Sequence, residues 1–128
     1  NEREARFALA DQDSGVGPLT GALLKKTRCK TVMLKLGPRG VFTARTDNPD
    51  RAEHFFSVDS FTGHVVDAVG AGDALLAYAT LTMLKTNSEV MATILGSLAA
   101  ACECEQDGNI PIKPEDILAK LAMLEKSC

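Results

Sequence analysis

Hydrophobic and polar positions follow two different periods along the chain, and each period predicts a type of element. In the first half, apolar residues at helical spacing predict helices over residues 1–11 and 19–27, separated by the Gly- and Pro-containing break at 14–18. Three short runs rich in apolar and β-branched residues follow, separated by turns that contain Gly, Pro and Asn. Such runs predict strands, which we place at 31–36, 41–45 and 52–58.

The second half of the chain is predicted to be helical, with segments over 71–85, 88–105 and from 114 through Leu118, Leu121 and Leu124. The first of these helices is apolar nearly all round, which predicts burial on most sides. We expect four of its residues in the core: Leu75, Leu76, Leu81 and Met83. Strands bracketed by helices indicate a layered α/β domain.

Composition and charge exclude several classes of protein. The chain has 128 residues, enough for one compact domain, and 45% of them are hydrophobic. A net charge of −3 argues against a nucleic-acid partner. No apolar run reaches the roughly 18 residues of a membrane span. The four cysteines fit neither a disulfide framework nor a zinc site, so we expect thiols in a reducing, cytoplasmic setting.

The segment from Val65 to Leu84 contains only two charged side chains, Asp67 and Asp73. An unpaired carboxylate in apolar surroundings costs several kcal/mol on the usual order-of-magnitude estimates. These two acids are therefore expected to have partners, a metal or a chemical role.

Two glycines, Gly70 and Gly72, come directly before and at the start of the predicted helix that carries Asp73. Without Cβ atoms they let the backbone approach a ligand, and the helix start offers free N–H groups and a favourable dipole to an anion. A phosphoryl group in transfer needs such donors and a base beside the attacking hydroxyl. The alternative is a tight turn in which Asp73 caps the helix. A dinucleotide fingerprint fits imperfectly, because Leu75 stands at its third glycine position.

The stretch Asp67-Ala68-Val69-Gly70-Ala71-Gly72-Asp73 resembles the Asp-Thr-Thr-Gly-Ala-Gly-Asp signature of ribokinase-type, or phosphofructokinase B-type, carbohydrate kinases. The resemblance implies that Asp73 is the catalytic base and that the amides of Gly70, Ala71 and Gly72 form an anion hole. It also implies that Asp67 helps to bind a monovalent cation such as K⁺, as in several members of the family. The alternative for Asp67 is a buried acid satisfied by backbone donors. Ala and Val replace the two threonines, so any contact of those hydroxyls is lost.

Two further motifs occur in the order that the family has. Asn1-Glu2-Arg3-Glu4 resembles the family's Asn-x-x-Glu motif, which implies that Glu4 acts on Mg²⁺ through water and that Asn1 is associated with phosphate. Leu36-Gly37-Pro38-Arg39-Gly40 resembles the Leu-Gly-x-x-Gly hairpin near the nucleotide, which implies nucleotide-binding roles for Gly37 and Gly40.

Residues 99–109 fall where family members place contacts to adenine, which assigns Asn109 to the nucleotide site. Small side chains at positions 99–101 leave room for a flat base. The same alanines also suit close helix packing, which we favour.

The resemblance covers essentially the whole chain and implies a three-layer α/β/α sandwich of the ribokinase type. Residues 1–128 are then the C-terminal, nucleotide-binding portion of a carbohydrate kinase that uses ATP and Mg²⁺ on a sugar-like hydroxyl. Family kinases are roughly twice as long, so we expect little activity from this portion alone. An exposed sheet edge would favour homo-oligomers. The rival hypotheses are a dinucleotide-binding oxidoreductase and a non-catalytic assembly module.

Overall fold

A computed structural model describes residues 1–48, 54–108 and 110–127. These residues form five α-helices, one short 3-10 helix and three strands, arranged as two compact units, Asn1–Asp59 and Ser60–Cys128. The α/β composition agrees with the prediction from the sequence. No helix in the described part of the chain is long and apolar enough to cross a lipid bilayer.

The first unit contains two helices and an antiparallel sheet. Its elements are α1 (Glu2–Leu9), α2 (Val16–Thr27), β1 (Thr31–Lys35), β2 (Val41–Arg45) and β3 (His54–Val58). The strands lie in the order β1-β2-β3, and all three predicted strands are confirmed, with residues 52 and 53 of the third prediction lying outside the described residues. The core of this unit is formed by Ala5, Leu19 and Leu34, which join the two helices to β1.

Helix α2 begins three residues earlier than the sequence pattern predicted. Gly15 is its N-cap, with an extended backbone, and the Gly15 carbonyl accepts a 3.0 Å hydrogen bond from the Leu19 amide. Pro18 therefore lies within the first turn, where a helix has no use for the missing N–H. The sequence pattern places this proline in a break between helices, whereas the structure shows that its position is compatible with the helix start.

A 3-10 turn, Gly37–Arg39, joins β1 to β2 and depends on two glycines. Gly37 has φ 63°, and Gly40 has φ 83° with ψ −137°. The turn is closed by hydrogen bonds from the Gly40 amide to Gly37 (2.9 Å) and from the Leu36 amide to Gly40 (2.8 Å). Glycine is required here because the second conformation in particular is almost closed to residues with a Cβ.

We expect Gly40→Ala to lower the free energy of unfolding by about 2–3 kcal/mol, because alanine is strained at that φ and ψ. Gly37→Ala is the matched control, since its φ is left-handed but an added Cβ would meet no atom within 4 Å. Its expected cost is about 1 kcal/mol. Urea unfolding of the two variants measures the difference. Equal losses, or a larger loss at Gly37, would contradict this description of the turn.

The second unit consists of three helices, α3 (Ala71–Thr86), α4 (Glu89–Cys104) and α5 (Pro114–Ser127). Helices α3 and α4 pack closely because Gly96 has no side chain: a Cβ there would lie 2.9 Å from the Leu75 carbonyl oxygen and 3.1 Å from the Ala79 Cβ. Leu98, Ala99 and Ile117 form the core of this unit. The burial of Ala99 confirms the prediction that these alanines pack helices.

The prediction that α3 is buried on most sides is wrong. Leu75 is 8% exposed and faces α4, but Leu76 and Leu81 are each 64% exposed and Leu84 is 80% exposed. Exposed positions recur along α3 at residues 73, 76, 77, 80, 81 and 84, which is one face of a helix. The described part of this unit has no further layer that covers this face, so apolar composition alone overestimated the core.

Helix α5 also packs differently from its pattern. Ile117 and Leu124 belong to the core of the second unit, whereas Leu118 is 64% exposed. Of the three leucines predicted to form the apolar side of this helix, Leu124 therefore packs as predicted, whereas Leu118 and Leu121 are exposed and Ile117 is buried in their place. Among the described cysteines, Cys29, Cys102 and Cys104 are free thiols, as expected.

Candidate functional site

The turn that leads into α3 is held in a conformation that only its glycine accepts readily. The Asp67 carboxylate accepts a 3.0 Å hydrogen bond from the Val69 amide, which folds the chain back on itself. Gly70 follows as the N-cap of α3 with φ 86° and ψ −23°. Its carbonyl accepts the amides of Asp73 at 2.9 Å and Ala74 at 3.0 Å, so the helix begins immediately after it.

The start of α3 presents backbone N–H donors for which no described residue supplies an acceptor. Within residues 54–108 and the other described ranges, the amides of Gly70 and Gly72 have no acceptor. The Ala71 amide makes only a long contact, 3.4 Å, to the Ala68 carbonyl. Unused amides at the positive end of a 16-residue helix favour an anion at this position.

Asp73 lies in the first turn of α3, next to these donors. Its side chain is exposed, and it makes no hydrogen bond or ion pair to any described residue. The possibility that Asp73 has a protein partner is therefore wrong for the described residues, because the face of α3 on which it stands is uncovered. The alternative that Asp73 caps the helix is also wrong, since no side chain bonds to the amides at the N-cap. The carboxylate is therefore open to solvent.

Asp67 is half-buried, and backbone groups hold it at both ends. Its carboxylate accepts from Val69, and its own amide donates to the Cys104 carbonyl at 3.2 Å. This arrangement supports the structural alternative for Asp67, an acid satisfied by a backbone donor.

The loop before this turn is fastened to the end of α4 by contacts that the sequence did not reveal. The Cys104 carbonyl also accepts the Val66 amide at 2.8 Å, and the Glu105 carboxylate accepts the Gly63 amide at 2.7 Å. Lys120 of α5 donates to the same Glu105 oxygen at 2.5 Å. Lys120 and Gly63 are 15 and 42 positions from Glu105 in the sequence, and no local sequence pattern links them to it.

In the first unit, Asn1 and Glu4 form a reciprocal cap at the start of α1. The Asn1 side chain accepts the Glu4 amide at 3.0 Å, and the Glu4 carboxylate accepts the backbone nitrogen of Asn1 at 2.7 Å. Both residues are exposed. The structure thus brings together the two predicted residues of the Asn-x-x-Glu motif. The capping box that they form is by itself a sufficient structural reason for both residues.

Glu2, which sequence analysis did not single out, connects this cap to the Gly37–Arg39 turn. Its carboxylate accepts from Arg6 at 2.8 Å and also pairs with Arg39. The hydrogen bond from Arg6, together with the charge of Arg39, lowers the pKa of Glu2 below its ordinary value. The start of α1 and the turn that contains Gly37 are therefore neighbours.

Two predicted roles, those of Asn109 and of Mg²⁺ near Glu4, are not tested by these contacts. Asn109 lies outside the described residues. In the described ranges, no group of three or more His, Cys, Asp and Glu side chains is arranged to hold a metal ion. That finding leaves room for Mg²⁺ carried by a nucleotide, because Mg²⁺ usually keeps several waters and needs only one or two carboxylates.

The fold is that of solved ribokinase-type kinases. A ribokinase from Thermotoga maritima aligns over 95% of this chain with a TM-score of 0.79 and 24% identity. Phosphofructokinase-2 from Escherichia coli, solved in complex with potassium, aligns over 98% with a TM-score of 0.81 and 20% identity. A Vibrio cholerae fructokinase bound to fructose, ADP and potassium ion aligns over 94% with a TM-score of 0.75 and 19% identity.

These similarities cover only part of each kinase: the chain spans 38–40% of the length of the three solved proteins. No curated protein matches the sequence. The model of the pfkB family carbohydrate kinases matches residues 1–116. The chain therefore belongs to the pfkB family of carbohydrate kinases.

Proposed function

We propose that this chain is the C-terminal, nucleotide-binding portion of a kinase that transfers the γ-phosphoryl group of ATP to a hydroxyl of a sugar or related small molecule. The observation that carries the proposal is the start of α3, where unused amides of Gly70 and Gly72 stand beside the free carboxylate of Asp73. A helix start alone would not indicate phosphoryl transfer. The proposal therefore also depends on the chain's membership of a carbohydrate kinase family.

Asp73 takes the proton of the substrate hydroxyl in the proposed reaction. A base at this position makes the oxygen a better nucleophile and typically contributes about 10²–10⁴ in rate. Its exposure supports the role, because an incoming hydroxyl must reach the carboxylate oxygen.

The amides of Gly70, Ala71 and Gly72 form the proposed anion hole. They are fixed by the left-handed Gly70 before the reaction begins, so their dipoles need no reorganisation as charge develops on the phosphoryl oxygens. Ala68 and Val69 stand where the family signature has threonines. The proposed chemistry does not depend on them, since it uses backbone donors.

The proposed metal site uses Glu4 through water. Its carboxylate is exposed and is held by the cap with Asn1, which suits a contact to a hydrated ion beside phosphate. Bound Mg²⁺ would neutralise charge on the phosphate oxygens. A monovalent cation at Asp67 stays a proposal, motivated by the potassium in the related solved kinases. Gly37, Gly40 and Asn109 remain proposed nucleotide contacts.

The test is ADP formation from ATP by the full-length protein, measured against a panel of sugars and nucleosides. We expect ADP release that depends on one class of hydroxyl acceptor and on Mg²⁺. Binding of NAD without binding of ATP would favour the oxidoreductase instead. Ordered self-association without any nucleotide binding would favour an assembly module.

A further inference from the structure

Glu105, at the C-terminal end of α4, occupies a central position among the contacts of the second unit. One of its carboxylate oxygens, Oε1, accepts from the Gly63 amide at 2.7 Å and from the Lys120 ammonium at 2.5 Å. The side chains of Lys120 and Glu105 are only 12% and 21% exposed. An ion pair with so little solvent around it is stronger and better fixed than a surface pair.

The charge of Glu105 is maintained by these partners. Burial raises the pKa of the carboxyl, but Lys120 and the Gly63 amide outweigh burial, and the net pKa lies below its ordinary value of 4.5. His64 adds a smaller lowering. Stability from this group is thus present at neutral pH and is lost only as the pH falls through the lowered folded-state pKa.

Beyond Gly63, the fixed positions continue toward the candidate anion hole through the backbone carbonyl of Cys104, the residue before Glu105. Glu105 holds Gly63, and the neighbouring Cys104 carbonyl holds the amides of Val66 and Asp67. The Asp67 carboxylate then holds the Val69 amide. Gly70, with its left-handed backbone, follows directly. The hydrogen bonds that the amides of loop 63–69 donate thus go either to the end of α4 or to the loop itself.

We propose that Glu105, itself held by Lys120, is a positioning residue that fixes loop 63–67 and thereby orients the amides of Gly70 and Gly72 beside Asp73. Its role in turnover rests on the proposed kinase function. The geometric effect on the loop does not, because it follows from hydrogen bonds within the second unit. Small displacements of reacting groups lower rates steeply, by about 10²-fold for roughly 1 Å.

The test compares three substitutions in the full-length protein by amide hydrogen exchange and by turnover. Glu105→Ala removes both contacts, Glu105→Gln keeps an acceptor for Gly63 but removes the charge, and Lys120→Met removes the cation. Tyr78→Phe is the control, because it deletes a 2.8 Å hydrogen bond from α3 to the Ile112 carbonyl without touching the loop.

We expect Glu105→Ala to speed exchange at the amides of Gly63, Val66, Val69 and Ala71, and to lower kcat by about 10- to 100-fold. Glu105→Gln should restore most of this loss, since a neutral acceptor can still hold Gly63. The effects of Lys120→Met on amide exchange and on kcat should lie between those of Glu105→Ala and Glu105→Gln. Tyr78→Phe should lower the melting temperature without changing kcat or exchange in the loop.

The two readouts separate the positioning role from the kinase function. Faster exchange at Gly63 alone, with Val69 and Ala71 unchanged, would overturn the proposal whatever the protein catalyses. Faster exchange through Ala71 with normal turnover would overturn the positioning role in catalysis. A wild-type protein that binds no nucleotide would remove the kinase function, while the exchange results would still decide whether Glu105 fixes the loop.

Discussion

Asp73→Asn in the full-length protein is expected to lower kcat by a factor of about 10²–10⁴, with the affinity for ATP nearly intact. Asparagine keeps the size and polarity of the side chain, but it cannot accept the proton of the substrate hydroxyl. Because the Asp73 side chain makes no hydrogen bond or ion pair to any described residue, the substitution breaks no such interaction within the described part of the fold. The loss should therefore appear in turnover and not in the melting temperature.

Steady-state kinetics and nucleotide binding measure the two effects of Asp73→Asn separately. Asp59→Asn is a suitable control, since Asp59 is also exposed and lies outside the helix start. Near-normal turnover in Asp73→Asn would remove Asp73 from the role of base. A parallel loss of ATP affinity would instead assign it to nucleotide binding.

The second large expected effect is on the free energy of unfolding, and it is tested by substituting two adjacent leucines of α3. Leu75→Ala should lower the free energy of unfolding by about 2–4 kcal/mol, because it leaves a cavity against α4. Leu76→Ala should change it by no more than about 0.5 kcal/mol, since Leu76 is 64% exposed. The two substitutions are chemically identical, so burial alone accounts for the expected difference.

Denaturant unfolding of this chain at two protein concentrations measures the effect. A loss at Leu76 as large as that at Leu75 would contradict the exposed face of α3. If that loss grew with protein concentration, a second copy of the chain would be covering the face of α3, which is a different surface from the sheet edge at which the sequence predicts homo-oligomers.

Much of the local structure could be predicted from the sequence because local rules determine it. All three strands lie where their apolar runs place them, and the turn between the first two uses the glycines that its geometry requires. The helix that starts after Gly70 likewise lies where the sequence predicts it, and the left-handed backbone of Gly70 is one that a residue without a Cβ adopts readily. In each case the determining residues are neighbours along the chain.

The errors have a different origin, since they concern what covers each surface. Leu76 and Leu81 are predicted to be core residues because they are apolar, but a leucine is buried only where another element covers it. The sequence around a leucine does not show whether such an element is present.

The attachment of Glu105 to Gly63 and Lys120 was missed because contacts between charged groups far apart in sequence leave no periodic signal. The roles assigned to Asn1, Glu4, Gly37 and Gly40 stay predictions, supported by their grouping in the first unit through Glu2 and Arg39.

The most direct test of the central claim, that this chain carries a nucleotide phosphate site, is calorimetric titration with a non-hydrolysable ATP analogue, with and without Mg²⁺. Gly72→Val is the informative variant, because Gly72 lies inside α3 without a positive φ and a side chain there would obstruct an anion. Gly21→Val is its control, since an added Cβ in that helix meets no atom within 4 Å. The account predicts binding that weakens without Mg²⁺ and in Gly72→Val but not in Gly21→Val. Binding that is indifferent to Gly72 and to Mg²⁺, or no binding by a folded full-length protein, would contradict it.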